Sequence, residues 1–250
     1  MQNPTAEEWV AWLFKRHQAS LTFAELRRAV QAVSAAYVER RDKRQAPKVL
    51  DSAGKRAAFA TFFAPLHFWL VREILQSLGA AKGPRDIVDL GCGTGVAGLA
   101  WALAAEQPVS LWGIDSNRWA VGEAQASLEF FGVSGRAVVG DFVQQRRPLS
   151  PCRLVAGFAI NELDDALRGR LLPNLLAVAQ AGSQVLIVEP IAWRPVQHWW
   201  PAWETAFRAQ GGQAAEWRFQ VELPKPIKEL DRAAGLNHRE LSARTLALGW

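Results

Sequence analysis

Cysteine is scarce: two residues, Cys92 and Cys152, in 250. Two thiols build neither a disulfide framework nor a cysteine-ligated metal cluster, so both are read as buried or loop thiols and no metal is expected. A secretion signal is also missing, because Met1-Gln2-Asn3-Pro4-Thr5-Ala6-Glu7-Glu8 has neither a basic start nor an apolar core. Long apolar runs are missing too. The longest, Ala57 to Val71, is broken by Pro65 and His67 and falls short of the ~20 residues a span requires. These absences lead to the expectation of a cytoplasmic protein without a membrane segment. No internal repeat or low-complexity tract is evident.

What is present describes a soluble globular chain, with 50% hydrophobic and 21% charged residues. The length suits one large α/β domain or a core domain with an extension. The net charge of +5 is uneven: residues 1–85 hold 14 Lys/Arg against 7 Asp/Glu, and residues 86–250 hold 15 against 17.

The first third reads as helical. Thr5-Ala6-Glu7-Glu8 and Thr22-Phe23-Ala24-Glu25 both have capping-box form, a threonine cap with a glutamate three residues on. The second opens a helix to about Arg40 whose Phe23, Leu26, Val30, Val33 and Tyr37 are spaced as a buried stripe. Its far end is the basic run Arg40-Arg41-Asp42-Lys43-Arg44. A third helical stretch, Ser52 to Leu78, is expected to kink or split at Pro65. Lys82-Gly83-Pro84 is the expected linker, so residues 1–82 are assigned to a helical cap and 83–250 to a second domain.

From Asp86 the pattern alternates strand and helix. Strands are expected at Asp86–Leu90, Val109–Ile114, Arg136–Val139, Arg153–Ile160 and Gln184–Val188, with a helix Ser116–Phe131 and another interrupted at Pro173. Such alternation argues a parallel sheet covered on both faces, with ligands at the carboxyl ends of the strands. The tail adds strands at Glu216–Leu223 and Leu241–Trp250 around a helix Ile227–Ala234.

The chemistry concentrates at Ile87-Val88-Asp89-Leu90-Gly91-Cys92-Gly93-Thr94-Gly95-Val96-Ala97-Gly98, where a strand meets alternate glycines and then a helix. Glycines there let a backbone turn tightly and bring its amides to a ligand. Gly93-Thr94-Gly95-Val96-Ala97-Gly98 matches the dinucleotide fingerprint, but Gly91 two residues earlier and Asp89 near the strand end fit that pattern poorly. Asp115, 20 residues after Gly95 at a strand end, can accept from both hydroxyls of a ribose or simply lead a helix beside a Ser116 cap. His67 and His198 are candidate bases or packed structural histidines, and Trp193, Trp199, Trp200 and Trp203 form either a pocket wall or a core.

Asp89-Leu90-Gly91-Cys92-Gly93-Thr94-Gly95, followed in order by Asp115 and by Gly140-Asp141-Phe142 at strand ends, resembles the class I S-adenosylmethionine (SAM) dependent methyltransferases over roughly Asp86 to Trp250. The resemblance implies a doubly wound, mostly parallel, seven-stranded α/β sheet ending in an antiparallel hairpin, here behind an all-helical N-terminal extension. It implies SAM as cofactor, with Asp89, Gly91, Cys92, Gly93 and Gly95 in the binding loop, Asp115 and Ser116 at the ribose, and Asp141 and Phe142 at the adenine. Asn161 and Glu162 stand where such enzymes touch methyl donor or acceptor, unless Asn161 caps the next helix, and His67 joins them as a candidate catalytic base. No Asn-Pro-Pro-Tyr type tetrad occurs, so amino methylation by that device is not indicated. Ala57 to Leu75, Ile160-Asn161-Glu162-Leu163 and Leu186-Ile187-Val188-Glu189-Pro190 are further similar to methyltransferase-like proteins associated with the small ribosomal subunit, although their cysteine cluster is lacking here. The expected function is methyl transfer with ribosomal RNA, met by the basic N-terminal helices, as the favoured acceptor. The alternatives are a small-molecule acceptor and a non-catalytic, SAM-holding ribosome assembly factor.

Overall fold

The computed structural model describes residues 4–18, 21–40, 50–144, 150–191 and 198–250, with backbone alone at 37–40. Its helices are α1 (Ala6–His17), α2 (Phe23–Arg40), α3 (Ala53–Ala58), α4 (Ala64–Ser77), α5 (Val96–Ala104), α6 (Arg118–Phe131), α7 (Asp165–Gln180), α8 (Trp200–Ala209) and α9 (Lys225–Ala233). Its strands are β1 (Asp86–Leu90), β2 (Ser110–Asp115), β3 (Ser134–Val139), β4 (Arg153–Gly157), β5 (Gln184–Glu189), β6 (Gln213–Gln220) and β7 (Glu240–Leu248). The chain separates into two compact units, residues 1–67 with 220–241 and residues 68–219 with 242–250. That division differs from the expected break at 82/83. The second half of α4, buried through Phe68, Trp69, Leu70, Val71, Ile74 and Leu75, belongs with the sheet, whereas α9 belongs with the amino-terminal helices.

In the first unit both capping boxes form. Glu8 accepts from the Thr5 amide (2.7 Å) and Glu25 from the Thr22 amide (2.8 Å), while each threonine hydroxyl accepts from the glutamate's own amide. Leu26, Val30 and Val33 are fully buried as the spacing requires, but Phe23 is 47% exposed. It is the first residue of α2, at the exposed start of the helix. Gln31 Nε2 donates to the Ala234 carbonyl (3.1 Å), and Asp231 pairs with His238 Nδ1 (2.6 Å), so the segment after α9 is tied within this unit.

The expected kink at Pro65 is replaced by a single π turn, Phe59–Phe63, in which the Ala64 amide donates to the Phe59 carbonyl. The widened turn makes room for the proline ring, so the helical run continues from Ala53 to Ser77. By length and composition those 25 residues could cross a membrane, a longer stretch than the sequence suggested, and 78% of their most apolar window is buried within the protein. Pro173 likewise fails to interrupt α7. It and Gly169, whose carbonyl loses its partner, are exposed, so solvent can serve the freed group.

The second unit is built on a seven-stranded sheet of order β3-β2-β1-β4-β5-β7-β6, in which β3, β2, β1, β4 and β5 pair in parallel and β7 is antiparallel to β5. The chain runs outward from β1 through β2 to β3, then returns to place β4 on the other side of β1. Strand order reverses between β1 and β4, and in sheets of this kind ligands bind at the carboxyl ends of the strands at that point. Period-two alternation sorts the side chains. Val88, Leu90, Leu154, Ala156, Val185, Ile187, Leu246 and Leu248 form one core with Leu171, Leu175 and Val178 of α7 and Trp199, Trp200, Trp203 and Phe207 at α8. On the other face α5 packs close to Leu111, and Trp101 donates from Nε1 to the Ala80 carbonyl (3.1 Å) and stacks on Trp250.

Strand ends depart from expectation where hydrogen bonds decide them. β3 begins at Ser134, two residues early, through its pairing with β2. β4 stops at Gly157 because Phe158 turns to φ +60. α6 is capped by Asn117, whose side chain accepts from the Trp119 and Ala120 amides, and not by Ser116.

Burial on α2 generates a contrast. Leu26→Ala should cost about 2–5 kcal/mol of the first unit's stability, whereas Phe23→Ala should stay within about 0.5 kcal/mol. Urea unfolding of both variants checks this, and equal losses would contradict the burial.

Candidate functional site

The loop after β1 is made by three residues at positive φ, Gly91 (+65), Gly93 (+52) and Gly95 (+80), a conformation costly for any residue with a Cβ. Gly91 has a second reason to be glycine. A Cβ there would stand 2.6 Å from the Ala159 Cβ and 3.1 Å from the Phe142 ring, so the loop, the turn after β4 and the turn after β3 meet at one point. Gly93, in contrast, would point a Cβ into open space. The Gly95 amide closes the turn on the Cys92 carbonyl (2.7 Å) and Gly95 then leads α5.

Acidic residues at strand ends hold the loops. Asp89, fully buried at the end of β1, accepts from the Gly98 amide through Oδ2 (2.8 Å). Burial pushes its carboxyl up to about 7, with the Gly98 bond opposing and the Asp115 charge adding. Its Oδ1 and the Thr94 hydroxyl are buried without a hydrogen-bond partner. Asp115 accepts from the Gly93 amide through Oδ2 (2.9 Å) and from the Asn117 amide through Oδ1 (2.7 Å), and it remains partly exposed beside exposed Ser116. Asp141, exposed after β3, accepts from the Val143 amide (2.9 Å) and Gln144 Nε2 (2.7 Å). The expected cofactor residues Asp89, Gly91, Cys92, Gly93, Gly95, Asp115, Ser116, Asp141 and Phe142 thus share the carboxyl ends of β1, β2 and β3. The Cys92 side chain is the exception, because its buried sulfur packs against Gly113 in the sheet and burial pushes the thiol up. Only its backbone belongs to the loop.

After β4, a 3-10 turn Ile160–Glu162 is gripped from two sides. Glu189, fully buried at the end of β5, accepts from the amides of Ile160 (2.8 Å) and Asn161 (3.1 Å) through Oε1 and from Asn161 Nδ2 (2.6 Å) through Oε2. Asn161 Oδ1 accepts in turn from Trp199 Nε1 (3.0 Å). Arg168 of α7 donates to the carbonyls of Ile160 and Leu163. Asn161 is therefore not the cap of α7. That role falls to Asp164, which accepts from the Leu167 amide (2.8 Å). Burial pushes the Glu189 carboxyl up to about 8, opposed by the Asn161 and Ile160 amides, raised by Glu162 and lowered by Arg244. Glu162 itself is exposed.

The histidines and tryptophans divide differently. His67 lies on α4 in the first unit, edge-on to Phe59, where burial and the neighbouring His238 push its imidazole down to about 4. His198 is exposed and pairs with Asp165 (3.0 Å). Trp199, Trp200 and Trp203 are core, and Trp193 lies outside the described residues. Sequence reasoning overlooked Glu189 and Arg168 as site residues and read Trp199 as pocket wall or core, without its bond to Asn161. Glu189 had a readable signal, an acid closing an apolar strand as Asp89 and Asp115 do, whereas the partners of Arg168 and Trp199 are fixed only by packing.

Residues 71–150 match the family model of the methyltransferase small domain. No curated protein matches significantly. Among solved structures, the chain is similar to a protein designated an O-methyltransferase from Nostoc punctiforme PCC 73102, with TM-score 0.54 and 13% identity over 90% of this chain and 69% of that one. Magnesium protoporphyrin IX methyltransferase from Synechocystis PCC 6803 superposes with TM-score 0.47 and 15% identity, covering 92% and 98%. A protein designated an RNA methyltransferase from Pyrococcus horikoshii gives 0.46 and 16%, covering 86% and 96%.

The raised Asp89 carboxyl sets a pH dependence. Its value exceeds the 3.8 of an unperturbed aspartate, so its contribution to stability is complete below about pH 3.8 and is lost as pH rises through about 7, by up to about 1.4 kcal/mol per pH unit. Asp89→Asn should remove that slope. Denaturant unfolding of both proteins between pH 4 and 8 checks it, and parallel curves would contradict the assignment.

Proposed function

We propose that this chain is a class I SAM-dependent methyltransferase that holds its methyl donor on the β1 glycine loop and methylates ribosomal RNA gripped by the basic helical unit. The site's shape supports the donor. Open space at Gly93, and two buried polar atoms without partners, Asp89 Oδ1 and Thr94 Oγ1, suit a ligand that brings its own hydrogen-bonding groups to the loop. Asp115 keeps lone pairs for ribose hydroxyls, and Asp141 with Phe142 stands where an adenine would be held. Bound SAM supplies an already activated sulfonium methyl. The residues of this chain then bind, orient and exclude water, and that alignment carries most of the rate.

One observation carries the acceptor. The first unit holds 15 Lys/Arg against 10 Asp/Glu and the second holds 14 against 14, so the whole net charge of +5 belongs to the unit without the glycine loop. Exposed Lys15, Arg27 and Arg28 contribute to it. So does the run Arg40, Arg41, Lys43 and Arg44, of which Arg40 is described by backbone only and the others lie outside the described residues. A concentration of cations in one unit, while the unit with the glycine loop is neutral, suits a phosphate backbone.

Calorimetry should show S-adenosylhomocysteine binding and NAD not binding, and Asp115→Ala should cost roughly 1–3 kcal/mol of that affinity. Unchanged affinity would remove Asp115 from the site. For the acceptor, replacing Arg40, Arg41, Lys43 and Arg44 by Ala should flatten the slope of log K against log salt for a ribosomal RNA fragment by roughly 0.7–0.9 per lost phosphate contact. Equal slopes, or no binding at low salt, would move the acceptor to a small molecule. RNA binding without methyl transfer would favour an assembly factor.

A further inference from the structure

We infer that Glu189 is a positioning residue of the donor site, acting through Asn161 and Ala159 on the glycine loop. The inference rests on the proposed donor site. Among the described residues three hydrogen bonds reach Glu189, and in all three the partner donates: the Ile160 and Asn161 amides and Asn161 Nδ2. The Asn161 amide is oriented by its other end, since Trp199 Nε1 can only donate and therefore claims Oδ1. Charge, amide and indole thus form a directional chain with one consistent arrangement. It fixes the turn Ile160–Glu162, and with it Ala159, the residue packed against Gly91 so closely that a Cβ there would stand 2.6 Å away. Arg168 holds the same turn by its carbonyls, and its guanidinium lies 5.8 Å from the Trp199 ring centroid. Phe158, held at φ +60 just before the turn with its amide on the Val188 carbonyl (2.7 Å), is a strained residue of the kind kept where the surroundings over-determine it.

Asn161 is therefore not free to meet an acceptor with its whole amide. One donor and its carbonyl are already engaged.

Glu189→Gln tests the chain because it keeps size and shape. Gln can still accept both backbone amides through Oε1, but its Nε2 then faces Asn161 Nδ2, donor against donor. Flipping Asn161 cures that clash and sets Nδ2 against Trp199 Nε1 instead. Trp199→Phe removes the indole donor, so in the double variant Asn161 can flip without conflict. At about pH 9, where Glu189 is ionised, S-adenosylhomocysteine affinity should fall about tenfold in Glu189→Gln, the cost of a buried mismatch reaching the loop. It should change less than about threefold in Trp199→Phe and recover in the double variant. Thermal unfolding without ligand should show the same non-additive recovery.

Protonation of Glu189 imposes the same mismatch as Gln. Glu162 on the turn, Arg168 of α7 and Arg244 of β7, its cross-strand partner, are the charged groups around it. Wild-type affinity should accordingly rise with pH across about 8, a component absent from Glu189→Gln. Wild-type affinity for Glu189→Gln, or effects of the two substitutions that simply add in both measurements, would overturn the inference. If the wild-type protein binds no S-adenosylhomocysteine, the donor reading fails, and the unfolding cycle alone still decides whether the clasp exists.

Discussion

Backbone amides that leave the carboxyl end of a parallel strand have no ladder partner, and the loops of this protein find theirs in carboxylates. Asp89 takes the Gly98 amide, Asp115 those of Gly93 and Asn117, Asp141 that of Val143, and Glu189 those of Ile160 and Asn161. Each buried amide needs an acceptor, and an ionised one binds it most strongly.

Burial then separates the acids by role. Asp89 and Glu189 are fully enclosed and carry strongly raised carboxyls, the signature of groups that hold architecture against the cost of desolvation. Asp115 and Asp141 keep contact with solvent. The two compact units divide the charge as sharply, one neutral and one carrying the surplus of cations.

The tryptophans illustrate how a wall and a core look alike before folding. Trp199, Trp200 and Trp203 crowd one segment, and the sheet's apolar face claims all three, leaving Trp199 its indole N–H as the polar contact to Asn161. Arg244 lies over the Trp200 ring at 3.8 Å, which places a cation beside buried Glu189 without requiring a water-filled pocket.

By itself the sequence determined the order of elements, the glycine loop, the strand-end acids Asp89, Asp115 and Asp141, and both threonine capping boxes. These are local: a glycine at positive φ, an acid after a β-branched run or a threonine three residues before a glutamate acts on its own neighbours. It determined the sheet's class too, because alternation of strand and helix leaves few unknotted, right-handed solutions. Only the tertiary structure decided that Pro65 sits in a π turn, that Phe23 is exposed, that Asn117 and Asp164 are the caps, and that α9 joins the amino-terminal helices. It alone brought Glu189, Asn161, Trp199 and Arg168 together from positions up to 38 residues apart. A hydrogen bond between side chains depends on two strand ends and two helices reaching one point, and no periodicity in the chain records where separate elements will meet.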